Sequence, residues 1–206
     1  MSWKLSALVF VALVAGVGFA RIAEDSSTGT ATWDAARAAG FSSYLLLWLS
    51  VVSGISVHMR YRIAAGPLSL VLESHRAVSV LALAFLGVHL AALLLDPVVA
   101  FSLLDALVPL TSSYRPVQVG LGTVAGWLLV VVLVSTAFAG SMRWSLWRNL
   151  HLLAFPAWVL ALAHGLTAGT DSGAPVALLI YAASASLVAA LAVARLLGRG
   201  WIAAEA

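Results

Sequence analysis

Cysteine is absent from the 206-residue chain, and charge is scarce, with Asp, Glu, Lys and Arg together making up 9%. The first absence excludes disulfides, thiolate metal sites, iron–sulfur clusters and covalent C-x-x-C-H haem attachment. The second excludes a soluble globular enzyme, because a typical soluble domain is about 25% charged. Positive charge is in small excess, 11 Lys+Arg against 8 Asp+Glu. That excess argues against nucleic-acid binding despite a pI of 9.8. What fills the chain is hydrocarbon, 63% hydrophobic residues with a mean hydropathy of +1.05, which also excludes disorder. The composition is that of an integral membrane protein forming a single transmembrane domain. A spanning helix takes ~20 residues, so a chain of this length holds at most six or seven spans and has no room for a soluble nucleotide-binding domain. Its chemistry belongs to the bilayer or to a partner.

Apolar runs predict an all-α, polytopic six-helix bundle with spans at Trp3–Ala20, Phe41–Met59, His75–Leu95, Val117–Gly140, His151–Ala168 and Pro175–Leu197. Turn signals separate them, among them Gly66-Pro67, Asp96-Pro97, Arg115-Pro116 and the stretch Asp171 to Pro175. The short apolar segment Val98–Leu110, which carries Asp105, reads as interfacial or re-entrant. Lys4 and the small residues before Arg21 also fit a cleavable secretory signal, which would leave five spans. Basic residues set the orientation, since Lys and Arg are enriched on the cytoplasmic side. With both termini cytoplasmic, Lys4, Arg60, Arg62, Arg76, Arg143, Arg148, Arg195 and Arg199 lie inside, against Arg21, Arg37 and Arg115 outside. The expected location is the cell membrane.

Of the five histidines, four fall in two predicted helices. His75 and His89 bracket the third span, and His151 and His164 bracket the fifth. Ionisable groups inside a membrane are costly and mark function by default. At ~1.5 Å per residue the two spacings are about 21 and 20 Å, so the histidines form an inner layer, His75 with His151, and an outer layer, His89 with His164. A haem in a bundle core takes one imidazole from each of two facing helices, and without cysteine it is held non-covalently. Zinc or copper fits less well, because each layer offers two ligands only. A proton relay lacks carboxylates within the spans. Fourteen steps return His89 to within ~40° of His75, whereas thirteen leave His164 roughly 140° from His151 on a straight helix. Pro156 lies between the latter two and can kink the helix.

The segments His75-Arg76 through Gly87-Val88-His89, Trp147-Arg148-Asn149-Leu150-His151 and Ala163-His164-Gly165 together resemble the ferric-reductase-like transmembrane domain. That superfamily includes ferric reductases, NADPH oxidases and the haem subunit of the bacterial methionine-sulfoxide reductase system. The resemblance covers about residues 40–197 and is closest to the short, stand-alone bacterial members. It implies two stacked haems b, ligated by His75 with His151 and by His89 with His164. It also implies one-electron transfer across the membrane, an oxidoreductase component fed by a separate flavin reductase or by quinol. The implied acceptor is extracytoplasmic: a ferric chelate, dioxygen or a redox protein.

Arg76 is the best-placed cation for a haem propionate, and Trp158 is a candidate ring between the two haem levels, although a bulky core filler is the plainer account. His58 reads as a headgroup-level histidine, and Trp144 and Trp147 as interfacial indoles. Gly122 and Gly126 form a G-x-x-x-G match suited to helix contact. Competing functions are a proton or metal-ion pathway and a non-catalytic membrane anchor of a redox complex.

Overall fold

The computed structural model describes residues 31–59 and 68–204. The first predicted span, Arg60, Arg62 and the N-terminus lie outside the described residues, as does the His58 side chain. Among the described residues every regular element is helical: α1 (Ala31–Met59), α2 (Leu68–Leu94), α3 (Leu103–Leu107), α4 (Pro116–Ala137), a 3₁₀ turn (Ala139–Ser141), α5 (Trp144–His151), α6 (Ala154–Ala168) and α7 (Pro175–Ala204). Five segments are long and apolar enough to cross a membrane: α1, α2, α4, α5 with α6 as one span, and α7. The chain is a multi-pass membrane protein.

Helix α1 is the hub. Over half of its central window is buried (56%), against 11–28% for the other four spans. It packs along α2 and also meets α6 and α7, while α4 packs against α5 and α6. The outer faces carry exposed Val80, Leu133 and Leu179, side chains that suit hydrocarbon. Lipid supplies no hydrophobic drive between helices, so association rests on close packing and interhelical hydrogen bonds. The α1–α2 seam has both. Ser43 donates to the Ala82 carbonyl at 2.9 Å, and the Ser50 and Ser79 hydroxyls meet at 2.7 Å.

Four boundaries lie seven or more residues from the sequence expectation, among them the start of α2, seven residues before His75, and the end of α7, seven residues beyond Leu197. Helix α1 begins ten residues before Phe41, taking in Asp34 and Arg37. Arg37, expected in an outer connector, is half-buried in α1, where it pairs with Asp34 at 3.1 Å and with Asp171 in the connector before α7. Three formal charges are thereby absorbed at one helix end, and Asp34 in the first turn also complements the helix dipole. The fifth span begins at Trp144 rather than His151 and is broken at Leu152–Leu153.

Segment 98–115 packs over one end of the bundle. Its short helix α3 is closed by a capping box in which the Asp105 carboxylate accepts from the Ser102 backbone at 2.8 Å and hydroxyl at 2.7 Å. The Trp127 indole donates to the Leu107 carbonyl at 2.9 Å, tying α3 to α4. Thr32 bonds Asp96 at 2.7 Å, Trp33 meets Tyr114 edge to face at 5.9 Å, and Arg115 reaches the Thr167 carbonyl at 2.8 Å. These contacts gather the start of α1, the end of α2, the start of α4 and the end of α6 at one end of the bundle.

Candidate functional site

The four histidines meet in two pairs across the bundle. His75 on α2 faces His151 at the end of α5, with ring centroids 6.1 Å apart and planes at 69°. His89 on α2 faces His164 on α6, with centroids 6.4 Å apart and planes at 75°. The layers expected from the spacing are present. Part of the angular misfit of the fifth span is taken up at the break. There Leu153 N–H bonds Leu150 O and Phe155 N–H bonds Leu152 O, both at 3.1 Å and both three residues back. Such 3₁₀-type winding advances each residue by about 120° rather than about 100°, overwinding the chain in the direction the shortfall requires. Pro156 sits in the first turn of α6, where its missing N–H costs little.

Each imidazole is oriented by its Nδ1 edge. His89 Nδ1 lies 2.7 Å from the Ala36 carbonyl, His164 Nδ1 2.8 Å from the Gln118 carbonyl, and His75 Nδ1 3.0 Å from the Ser50 carbonyl. A carbonyl only accepts, so in these three rings Nδ1 carries the proton and Nε2 holds the lone pair. A carbonyl holding the far ring N–H in this way fixes the tautomer of a metal-binding histidine. His151 differs, having the Thr136 hydroxyl at 3.4 Å.

Three glycines make room for these rings. A Cβ on Gly40 would lie 2.8 Å from His89 Nδ1, one on Gly122 2.8 Å from His164 Nδ1, and one on Gly54 3.3 Å from His75 Cε1. In all three cases the carbonyl that receives Nδ1 belongs to the residue four positions before the glycine: Ala36, Gln118 and Ser50. That carbonyl already accepts the glycine's own helical N–H. Only a residue without a side chain exposes its second lone pair to a neighbouring ring.

The donor set and spacing fit a metal held axially between two imidazoles. Two metal–nitrogen bonds of about 2.0–2.1 Å, with about 1.1 Å from each nitrogen to its ring centre, put the centroids about 6.3 Å apart. The observed 6.1 and 6.4 Å bracket that value. Among the described residues no three His, Cys, Asp or Glu converge, so a closed tetrahedral zinc site is not formed. Around the second pair lies a cavity of about 330 Å³, walled by Leu47, Leu86, Leu90 and Leu129 and reaching from Gly40 and Gly122 to Arg37 and Asp171. Helices α2 and α6 share no packed interface there, which leaves a slot between His89 and His164.

Arg76 is exposed on the turn beside His75. Trp158 is 5% exposed and packed in the core with Tyr44, Leu47 and Tyr181. Tyr44 hydrogen-bonds Ser184 and packs edge to face on Tyr181 at 5.0 Å, and both tyrosines border the cavity. Gly122 faces His164, while Gly126 has no neighbour within 4 Å of its would-be Cβ, so the G-x-x-x-G match serves a ring rather than a helix crossing. Sequence reasoning missed Trp147. Its ring stacks on His151 at 5.0 Å and 24°, and on Trp144 at 4.8 Å, with its buried Nε1 making no hydrogen bond. The signal was the i, i+4 spacing of Trp147 and His151, which puts both on one helix face. Family models, curated proteins and solved structures give no match to the chain.

Proposed function

We propose that this chain is a transmembrane electron-transfer protein holding two non-covalent haems b, one between His75 and His151 and one between His89 and His164. The supporting observation is the pairing itself. Two imidazole couples stand at a metal-spanning separation, and three of the four rings donate Nδ1–H to a helix carbonyl, which leaves Nε2 bare. The fold belongs in this reading to the ferric-reductase-like type, with a sixth span supplied by the N-terminal apolar segment. Haem iron bound there supplies one-electron redox chemistry.

The protein's part is to orient and insulate. The carbonyls of Ala36, Ser50 and Gln118 hold the imidazoles in the ligating tautomer and raise their basicity. Leu47, Leu86, Leu90 and Leu129 keep the outer site dry, and a low dielectric around a metal site tunes its potential. The Arg37–Asp171 pair lines one part of the cavity. Two layers about 21 Å apart along α2 divide the membrane crossing into shorter steps. With both termini cytoplasmic, electrons enter at the inner pair from a flavin reductase or quinol and leave at the outer pair to a ferric chelate, dioxygen or a redox protein. Proton or metal-ion conduction has less support, because the cavity around the outer pair carries one carboxylate, Asp171, and that one is paired with Arg37.

The test is absorbance. Detergent-purified protein should show a six-coordinate haem b spectrum with two haems per chain, and His89→Ala should lose the outer haem while keeping the inner one. A haem-free yet folded protein, or full haem content in His89→Ala, overturns the proposal.

A further inference from the structure

The four imidazole mounts are not equivalent. Gly40 and Gly54 stand fourteen residues apart on α1, matching the spacing of His89 and His75 on the antiparallel α2. On α4 the residue fourteen beyond Gly122 is Thr136, so the position facing His151 carries a side chain where the other three carry hydrogen. His151 therefore reaches a hydroxyl at 3.4 Å instead of a carbonyl at 2.7–3.0 Å. It is also the last residue of α5, next to the break, whereas His75, His89 and His164 lie within helices α2 and α6. Thr136 itself is exposed, while Ala36 is buried.

We propose that the glycine mounts lock three of the imidazoles and that His151, facing Thr136, is the exchangeable one, which opens the inner centre to a small exogenous π-acceptor ligand such as carbon monoxide. This rests on the two-haem reading above. The Nδ1–H bond to a carbonyl strengthens an imidazole as a donor and fixes its angle, and loss of such a partner costs typically 10–100-fold in metal affinity. A ligand anchored by a stretched hydroxyl contact at a helix end yields first. Stacking on Trp147 steadies the His151 ring plane without supplying an acceptor for its N–H, since the Trp147 nitrogen is itself a donor.

The experiment titrates dithionite-reduced, full-length holoprotein in detergent with carbon monoxide and follows the Soret band. The wild type should convert one haem of the two. Thr136→Gly combined with Ser135→Ala, which frees the Val132 carbonyl four residues back from the Ser135 hydroxyl it accepts at 3.0 Å and so creates a fourth mount, should weaken carbon monoxide binding about 10-fold or more. Thr136→Val, close in volume and lacking the hydroxyl, should tighten it and keeps the test alive if the glycine variant fails to assemble. Gly122→Ala should make the outer haem reactive as well. Equal reactivity of both haems in the wild type, no reactivity at either, or Thr136 variants within twofold of wild type overturn the inference while the two-haem reading stands. Protein that carries no haem overturns both.

Discussion

Replacing Gly40 by alanine adds a single methyl group to α1, placed 2.8 Å from His89 Nδ1 and 3.0 Å from Cε1. Ordinary van der Waals contact requires the ring to withdraw by about 0.6 Å, which draws Nδ1 away from the Ala36 carbonyl now 2.7 Å distant. Two costs follow. Overpacking of this kind costs about 1–3 kcal/mol. Loss of the Nδ1–H bond to the carbonyl costs about 10–100-fold in metal affinity, or about 1.4–2.7 kcal/mol. The same arithmetic ranks a series. Gly122→Ala, with its Cβ also at 2.8 Å from a ring nitrogen, should match Gly40→Ala. Gly54→Ala, at 3.3 Å, should be milder. Gly87→Ala, with nothing within 4 Å, should keep full haem affinity and gain helix stability of up to about 1 kcal/mol. The assay is haem competition against an apo-haem acceptor, read beside thermal unfolding in detergent. If Gly40→Ala and Gly87→Ala retain haem equally, the glycine mount is refuted.

Three further outcomes follow from the periphery of the site. Asp171→Asn leaves the Arg37 guanidinium, only 10% exposed, with Asp34 alone, and breaking a buried pair costs about 3–5 kcal/mol. Thermal unfolding should show that loss, and a wild-type melting temperature would mean that the pair contributes no stability. The Ser102 hydroxyl and backbone N–H hold the Asp105 carboxyl below the usual carboxylate range. The stability this gives α3 is therefore complete above that range and is lost as the pH falls through the lowered value. Trp127 fluorescence, reporting its bond to Leu107, should change on acidification, and Ser102→Ala should move the transition to higher pH. Tyr44→Phe removes the buried bond to Ser184 and should cost about 1 kcal/mol in unfolding, with haem content unchanged.

The apolar runs located α4 to within three residues at each end, the end of α2 to within one and the start of α7 to the residue, while α2 starts seven residues earlier and α7 runs seven residues further than expected. They failed at the start of α1 because Asp34 and Arg37 interrupt the hydropathy there. The partner that neutralises Arg37 lies 134 residues away in sequence, beyond the reach of any local pattern. The histidine pairs were legible from spacing and cost. The rotation that aligns His151 with His164 was not, because a two-residue interruption in an apolar run leaves no signal in composition. Proline pointed to the right turn for a different reason: Pro156 starts α6 rather than kinking a continuous helix. The mounts were written in the chain as a fourteen-residue glycine spacing equal to that of His75 and His89. They passed unread because glycine in a membrane helix is ordinarily taken for helix contact.

Hairpin α1–α2 has a temporal consequence. Both of its mounts and both of its imidazoles lie within residues 36–89, and each Nδ1–carbonyl bond closes between consecutive spans. Such contacts are local in sequence and form early, and synthesis delivers this hairpin before α4 and α6 exist. Half of each ligand pair is thus finished, at the correct depth and in the correct tautomer, while the other half is still being made. The later arrival of α4–α6 completes a clasp rather than building one, so on the two-haem proposal cofactor capture marks the end of assembly and not its nucleus.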